Sequence, residues 1–212
     1  MAEDHATNCR RGSGAKPVLT FRPRRSYLAA RHNAGAPLSE IYAAAEVPVE
    51  SEVSRRLSGA HFHDCYSVPM QSEGVSALAL YLDVVRHTPA WVDFLMAVRN
   101  RVVALFGLKN LGHLGSTRRA KPVDAYKVGD RVGIFSVLYL TAKEVILGDA
   151  DKHLNVQVSV CKVSSPNGGV AVSTVVHVHN LLGRIYMLPV VPIHKYIVQA
   201  MLRRFMTSQR GS

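Results

Sequence analysis

The sequence predicts an α+β domain in which a curved antiparallel sheet packs on a long C-terminal helix, with two helices inserted after the first strand. Three observations lead there. One alternating apolar run is followed by two stretches with helical spacing; four β runs with short connections come next; and the chain closes on Ile193, Ile197, Ala200, Met201 and Phe205, again at helical spacing.

The first strand is expected over His61 to Val68, where Phe62, Tyr66 and Val68 share a face and Pro69 ends the run. From Ser72, the apolar positions Val75, Leu78, Ala79, Leu82 and Val85 recur every three or four residues, as one face of a helix requires. Thr88 and Pro89 then suit the cap and first turn of a second helix, whose stripe is Trp91, Phe94, Leu95, Val98, Val102 and Leu105. Lys109 to Gly129 reads as a basic loop, rich in glycine and without periodicity. Four β runs follow: Arg131 to Leu140, Glu144 to Leu147, Leu154 to Val163 and Val170 to His179. Their connections, around Thr141, over Gly148 to Asp151 and over Ser164 to Gly169, are short enough to make neighbours antiparallel. Leu154, Val156, Val158 and Val160 alternate with Asn155, Gln157 and Ser159, which predicts one face against the core and one in water. Pro189 and Pro192 are read as breakers that precede the final helix.

Ahead of this domain, residues 1–36 carry seven Lys/Arg against two acidic residues and are expected to be a disordered basic tail. Residues 37–59 read as a linker with a short helix near Pro37 to Ala45, the domain as 60–207, and 208–212 as a C-terminal tail. Much of the formal net charge of +11 therefore belongs to the tail; the remainder concentrates after Asp151, where seven Lys/Arg meet no Asp or Glu. No aromatic-interleaved basic strand accompanies that cluster, so nucleic acid is not the expected partner. No transmembrane segment is expected, because no run of about 18 residues is continuously apolar. Cys9, Cys65 and Cys161 are odd in number and far apart, which points to a reducing cytoplasm.

The order of elements resembles the helix-grip arrangement of the Bet v 1-like (START-like) and polyketide-cyclase-like superfamily. Four strings also resemble a family called domain of unknown function 2867: Trp91 to Arg101 in the second helix, Val132 to Phe135, Gly148 to Leu154, and Thr174 to Asn180 followed by Gly183 to Tyr186 and Pro192 to His194. The resemblance covers about residues 61–207. It implies a helix-grip domain and no established activity.

Two H-x-H pairs, His61 with His63 and His177 with His179, place imidazoles two apart on strands, a spacing that puts side chains on one face. Zinc or iron would need a further ligand, for which Asp64, Asp151 and His153 are candidates; the competing reading is hydrogen bonding at strand ends, and no metal is assigned. No nucleophile elbow or phosphate-binding glycine loop occurs, and no cofactor is assigned. Cys65 and Cys161 fall within strands and read as buried thiols. His177, His179, Asn180, Arg184 and Tyr186 sit where the last strand hands over to the final helix, which makes a cavity mouth there. Arg184 would offer a fork to a carboxylate or phosphate, or else pair with Asp130, Asp149 or Asp151. Together with Trp91 and His153, these residues form the candidate ligand-binding set, Trp91 having the competing reading of a core residue. The expected partner is a small apolar or amphipathic molecule between sheet and last helix. The alternatives are a hydrolase or cyclase using Asp64, His153, His177 or His179 as general acid or base, and a module that binds polyanions.

Overall fold

The computed structural model describes residues 19–20, 43–70, 72–105, 121–164 and 169–210. Among them, eight strands form one sheet: β1 (Leu19–Thr20), β2 (Ala43–Ala44), β3 (Phe62–Val68), β4 (Arg131–Val132), β5 (Phe135–Leu140), β6 (Glu144–Ala150), β7 (Leu154–Lys162) and β8 (Val170–Val178). The order across it is β1-β3-β8-β7-β6-β5-β4, with β2 also on β3; β1 pairs parallel to β3 and every other pairing is antiparallel. Three helices accompany the sheet, α1 (Ala77–Arg86), α2 (Ala90–Leu105) and α3 (Leu181–Arg210).

Alternation along β3, β7 and β8 sends Phe62, Tyr66, Val68, Val160, Val170 and Val176 to the face that α1 and α3 cover. There α1 buries Leu78, Tyr81, Leu82 and Val85 against Val137, Val145 and Leu147. The other end of the same face is closed by Leu202, Phe205 and Met206 of α3 on Tyr66 and Val68. The α1 helix starts later than its periodicity predicts, because Ser76 rather than Ser72 is its cap: the Ser76 hydroxyl accepts from the Ala79 N–H at 3.3 Å.

The opposite face is not wet, as the alternation in β7 predicts. Gln157 and Ser159 are buried, 7% and 0% exposed, beneath a 3-10 turn at Glu52–Arg56. The turn inserts Val53 against Ile146 and Val175. Residues 45–60 therefore cover the sheet, with a helical turn at Glu52–Arg56; of the expected short helix, Ala43–Ala44 is strand and residues 37–42 fall outside the described residues. Glu144 holds this cover down: its carboxylate accepts from the Glu52 and Val53 N–H groups at 2.6 and 3.1 Å and from the Ser159 hydroxyl at 2.8 Å. A polar strand face can thus be polar for the sake of buried hydrogen bonds rather than water.

Two further expectations change. Gly148 lies inside β6 instead of opening a turn; a Cβ there would come 2.9 Å from the Val156 carbonyl oxygen, so glycine permits close strand approach. Arg131 to Leu140 is broken at Gly133, whose φ of 58° turns β4 back onto β5. Leu19–Thr20, within the expected tail, lies alongside Phe62 and His63; the rest of that tail, residues 106–120 (which include 109–120 of the basic loop) and 165–168 of the hairpin loop fall outside the described residues.

The largest departure is α3. Pro189 and Pro192 do not break it, and the helix runs 30 residues from Leu181. Asn180 caps its start, its side-chain oxygen accepting the Gly183 N–H at 3.1 Å. Each proline removes one bond to the carbonyl four residues back. Both prolines, and Ile185 and Leu188 whose carbonyls lose those donors, are on the exposed side, where water can take over.

Candidate functional site

The hand-over from sheet to α3 brings together part of the set that the sequence nominates. Asp151 Oδ1 accepts from the His153 and Leu154 N–H groups at 2.7 and 3.0 Å, forming a tight turn that presents His153 toward α3. There Asn180 meets His153 Nδ1 at 3.0 to 3.1 Å while its amide nitrogen donates to the Lys152 carbonyl at 3.0 Å. Asn180 thereby joins the turn to the helix it caps. Gly183 packs so closely that an added Cβ would lie 2.4 Å from the His153 carbonyl oxygen, which brings Tyr186, one turn on, over the same spot.

The result is a small recess of about 10 Å³, room for no more than about one water, lined by Arg99, Asp151, His153, Leu154, Leu182, Gly183 and Tyr186. Arg99 was not nominated from sequence. It comes from α2, donates to the Tyr186 hydroxyl at 3.1 Å and lies 5.7 Å from the centre of that ring. His153 is 7% exposed, and its Nε2 has no hydrogen-bond partner among the described residues.

The other nominated residues are elsewhere. His177 is on the far face of the sheet with its Nε2 3.1 Å from the Ser58 carbonyl, and His179 is exposed beyond the end of β8. His61 Nδ1 accepts the Val178 N–H at 3.1 Å. Among the described residues, no three of His, Cys, Asp and Glu converge as metal ligands would. Arg184 is exposed and reaches none of its three expected carboxylates: Asp130 pairs with Lys121 at 3.1 Å, Asp149 with Arg131 at 3.5 Å, and Asp151 serves the turn. Trp91 is no core residue; it is 43% exposed, because Val92 takes the buried position at the start of α2.

A second polar group lies beneath α3, between it and the sheet. Asp64 of β3 and Thr174 of β8 are paired across the strands, and His194 of α3 comes down on both, its Nε2 3.4 Å from Asp64 Oδ2 and 3.2 Å from Thr174 Oγ1. Phe62 meets the His194 ring edge-on at 5.8 Å. The remaining carboxylate oxygen, Asp64 Oδ1, is buried without a partner among the described residues. Between this group and the His153 recess runs an apolar layer of Phe62, Val176, Val178, Met187 and Val191. Periodicity cannot reveal such a group, since His194 and Thr174 look like ordinary helix and strand positions until the two elements are superposed.

Both thiols are embedded in the sheet. Burial pushes the Cys65 thiol up to about 11, against a smaller lowering by the Ser173 hydroxyl, and pushes Cys161 up to about 12 with help from the nearby Glu144 carboxylate. Neither is a nucleophile at neutral pH.

Comparison with known proteins adds one result. The family model described as Protein of unknown function (DUF2867) matches residues 56–201. No curated protein and no solved structure matches the chain.

Proposed function

The chain belongs to the family of domain of unknown function 2867, and on that footing we propose that it is a cytoplasmic helix-grip domain, of the Bet v 1-like kind, that binds a small, mostly apolar molecule between its sheet and α3. One observation carries this reading: Asp64 Oδ1, a carboxylate oxygen buried beneath α3 with no partner among the described residues. An unsatisfied buried carboxylate oxygen is costly by roughly 1–3 kcal/mol or more, and a ligand hydroxyl or amine would satisfy it. Ligand sites combine apolar walls with a few convergent polar groups. The apolar side chains offered here are Phe62, Val176, Met187 and Val191, which pack on one another, flanked by Asp64, Thr174 and His194 on one side and by His153, Arg99 and Tyr186 on the other. The ligand favoured is therefore amphipathic, with a donor toward Asp64 and an acceptor or anionic end toward Arg99.

Native mass spectrometry of full-length protein purified without additives tests this. A fraction heavier than the chain, lost on denaturation and diminished in Asp64→Asn and His194→Ala proteins of unchanged circular dichroism, is the expected result. A homogeneous bare chain, whose melting temperature is also unmoved by a panel of fatty acids, sterols and aromatic acids, would refute the proposal.

A further inference from the structure

The outer side of α3 exposes a row of apolar side chains. Leu181, Ile185, Leu188, Pro192 and Tyr196 are spaced by three and four residues, so they share one face, and all five are exposed, Leu188 by 71%. Leu181–Gln209 is apolar enough to match a membrane helix, with mean hydropathy 1.3 over its best 18 residues, yet only 6% of that stretch is buried. Its inner side is nonetheless engaged, through Met187, Val191, His194 and Leu202, so the helix lies on the domain rather than leaving it. Arg99 and Tyr186 tie α2 to the same end of α3, and α2 likewise exposes Trp91, Phe94 and Val98. Exposed apolar surface on this scale marks an interaction site.

Charge says what covers it. No Asp or Glu occurs after Asp151, and α3 carries Arg184, Lys195, Arg203 and Arg204, all exposed. Toward its C-terminal end, Arg203 and Arg204 join Arg86 around a shallow depression of about 500 Å³ that Thr88 and Thr207 complete with hydroxyls. Apolar side chains interspersed with cations and interfacial aromatics, on a helix that carries no carboxylate of its own and meets Asp83 through Gln209 near its end, fit a surface that is apolar within and anionic at its rim. We infer that this face docks peripherally on an anionic lipid bilayer, the stripe of α3 resting among the upper acyl chains and Arg184, Arg203 and Arg204 on the lipid phosphates. A second copy of the chain would bring the same cations against one another and is disfavoured for that reason. The inference is separate from the interior ligand site, because Asp64 and His194 lie on the other side of the helix.

Co-sedimentation of the full chain with vesicles decides it. Pelleting with phosphatidylcholine–phosphatidylglycerol vesicles, weakened by high salt, and little or none with phosphatidylcholine alone is expected. Arg184→Gln and Arg203→Gln should each lower the partition coefficient about fivefold, the effect of one cation near an anionic surface. Ile185→Asp with Leu188→Asp should abolish pelleting while leaving the melting temperature intact, and Asp64→Asn should leave pelleting unchanged. Equal binding to neutral vesicles overturns the inference, as does no binding at all. So does wild-type protein that ignores vesicles but is dimeric in ultracentrifugation and becomes monomeric with the double substitution, since the face then belongs to a second copy.

Discussion

At the scale of single residues, the domain depends on side chains whose purpose lies far along the chain. Glu144 is buried, and its carboxylate accepts from Glu52, Val53 and Ser159. Truncation to alanine would orphan all three donors, so Glu144→Ala is expected to lose about 2–4 kcal/mol of stability in urea unfolding, with Glu144→Gln losing less. Gly183 has no room for a methyl group against the His153 carbonyl, a backbone atom that cannot rotate aside. Gly183→Ala should therefore destabilise by roughly 1–3 kcal/mol and displace the first turn of α3, visible as shifted amide resonances at His153 and Asn180. Cys65 supplies a pH signature. Its folded-state value of about 11 exceeds the ordinary 9, so the unfolded chain releases the proton first as pH rises. The stabilisation is complete below pH 9 and is lost between about pH 9 and 11; the urea midpoint should fall across that interval, and a Cys65→Ala protein should fall less. None of these roles was legible locally. Glu144 reads as an ordinary turn-flanking acid, and only the register of β6 with β7, which sets it against Cys161 and beside Ser159, reveals its partners.

At the scale of elements, legibility tracked how local the cause was. The alternation of β7 and the seven-residue β3 could be read because period-two patterning is carried by adjacent residues. The start of α3 could not, because two prolines outweighed an asparagine cap nine residues before the first of them, although a proline on an exposed helix face loses its bond to water's benefit rather than to a void. Substituting Pro189→Ala and Pro192→Ala together should restore two helical hydrogen bonds. A gain of roughly 1–3 kcal/mol in thermal unfolding is expected, together with slower hydrogen exchange across Leu188 to Tyr196. Of the nominated site residues, His153, Asn180 and Tyr186 do converge, since all three lie close to one strand-to-helix junction. His177 went astray because a one-residue difference in strand position sends it to the opposite face, and Arg99 and His194 were missed because their partners are 87 and 20 residues away in sequence.

At the scale of the whole molecule, α3 is held unevenly. Its C-terminal half is clamped by Phe205 and Leu202, 2% and 1% exposed, against Tyr66 and Val68, whereas Leu188 and Ile185 touch solvent. Phe205→Ala should lose about 3–5 kcal/mol in urea unfolding, and Leu188→Ala less than about 0.5 kcal/mol, a contrast that separates the anchoring part of the helix from the part left available. The sheet is held just as unevenly in time. Its second-row strand β3 takes its longest pairing from β8, which leaves the ribosome about a hundred residues later, with α1 and α2 made in between. During synthesis β3 therefore waits as an open edge, and a nascent chain stalled before Val178 would expose the Phe62–Val68 strand to neighbours and chaperones until the last strand arrives to close it.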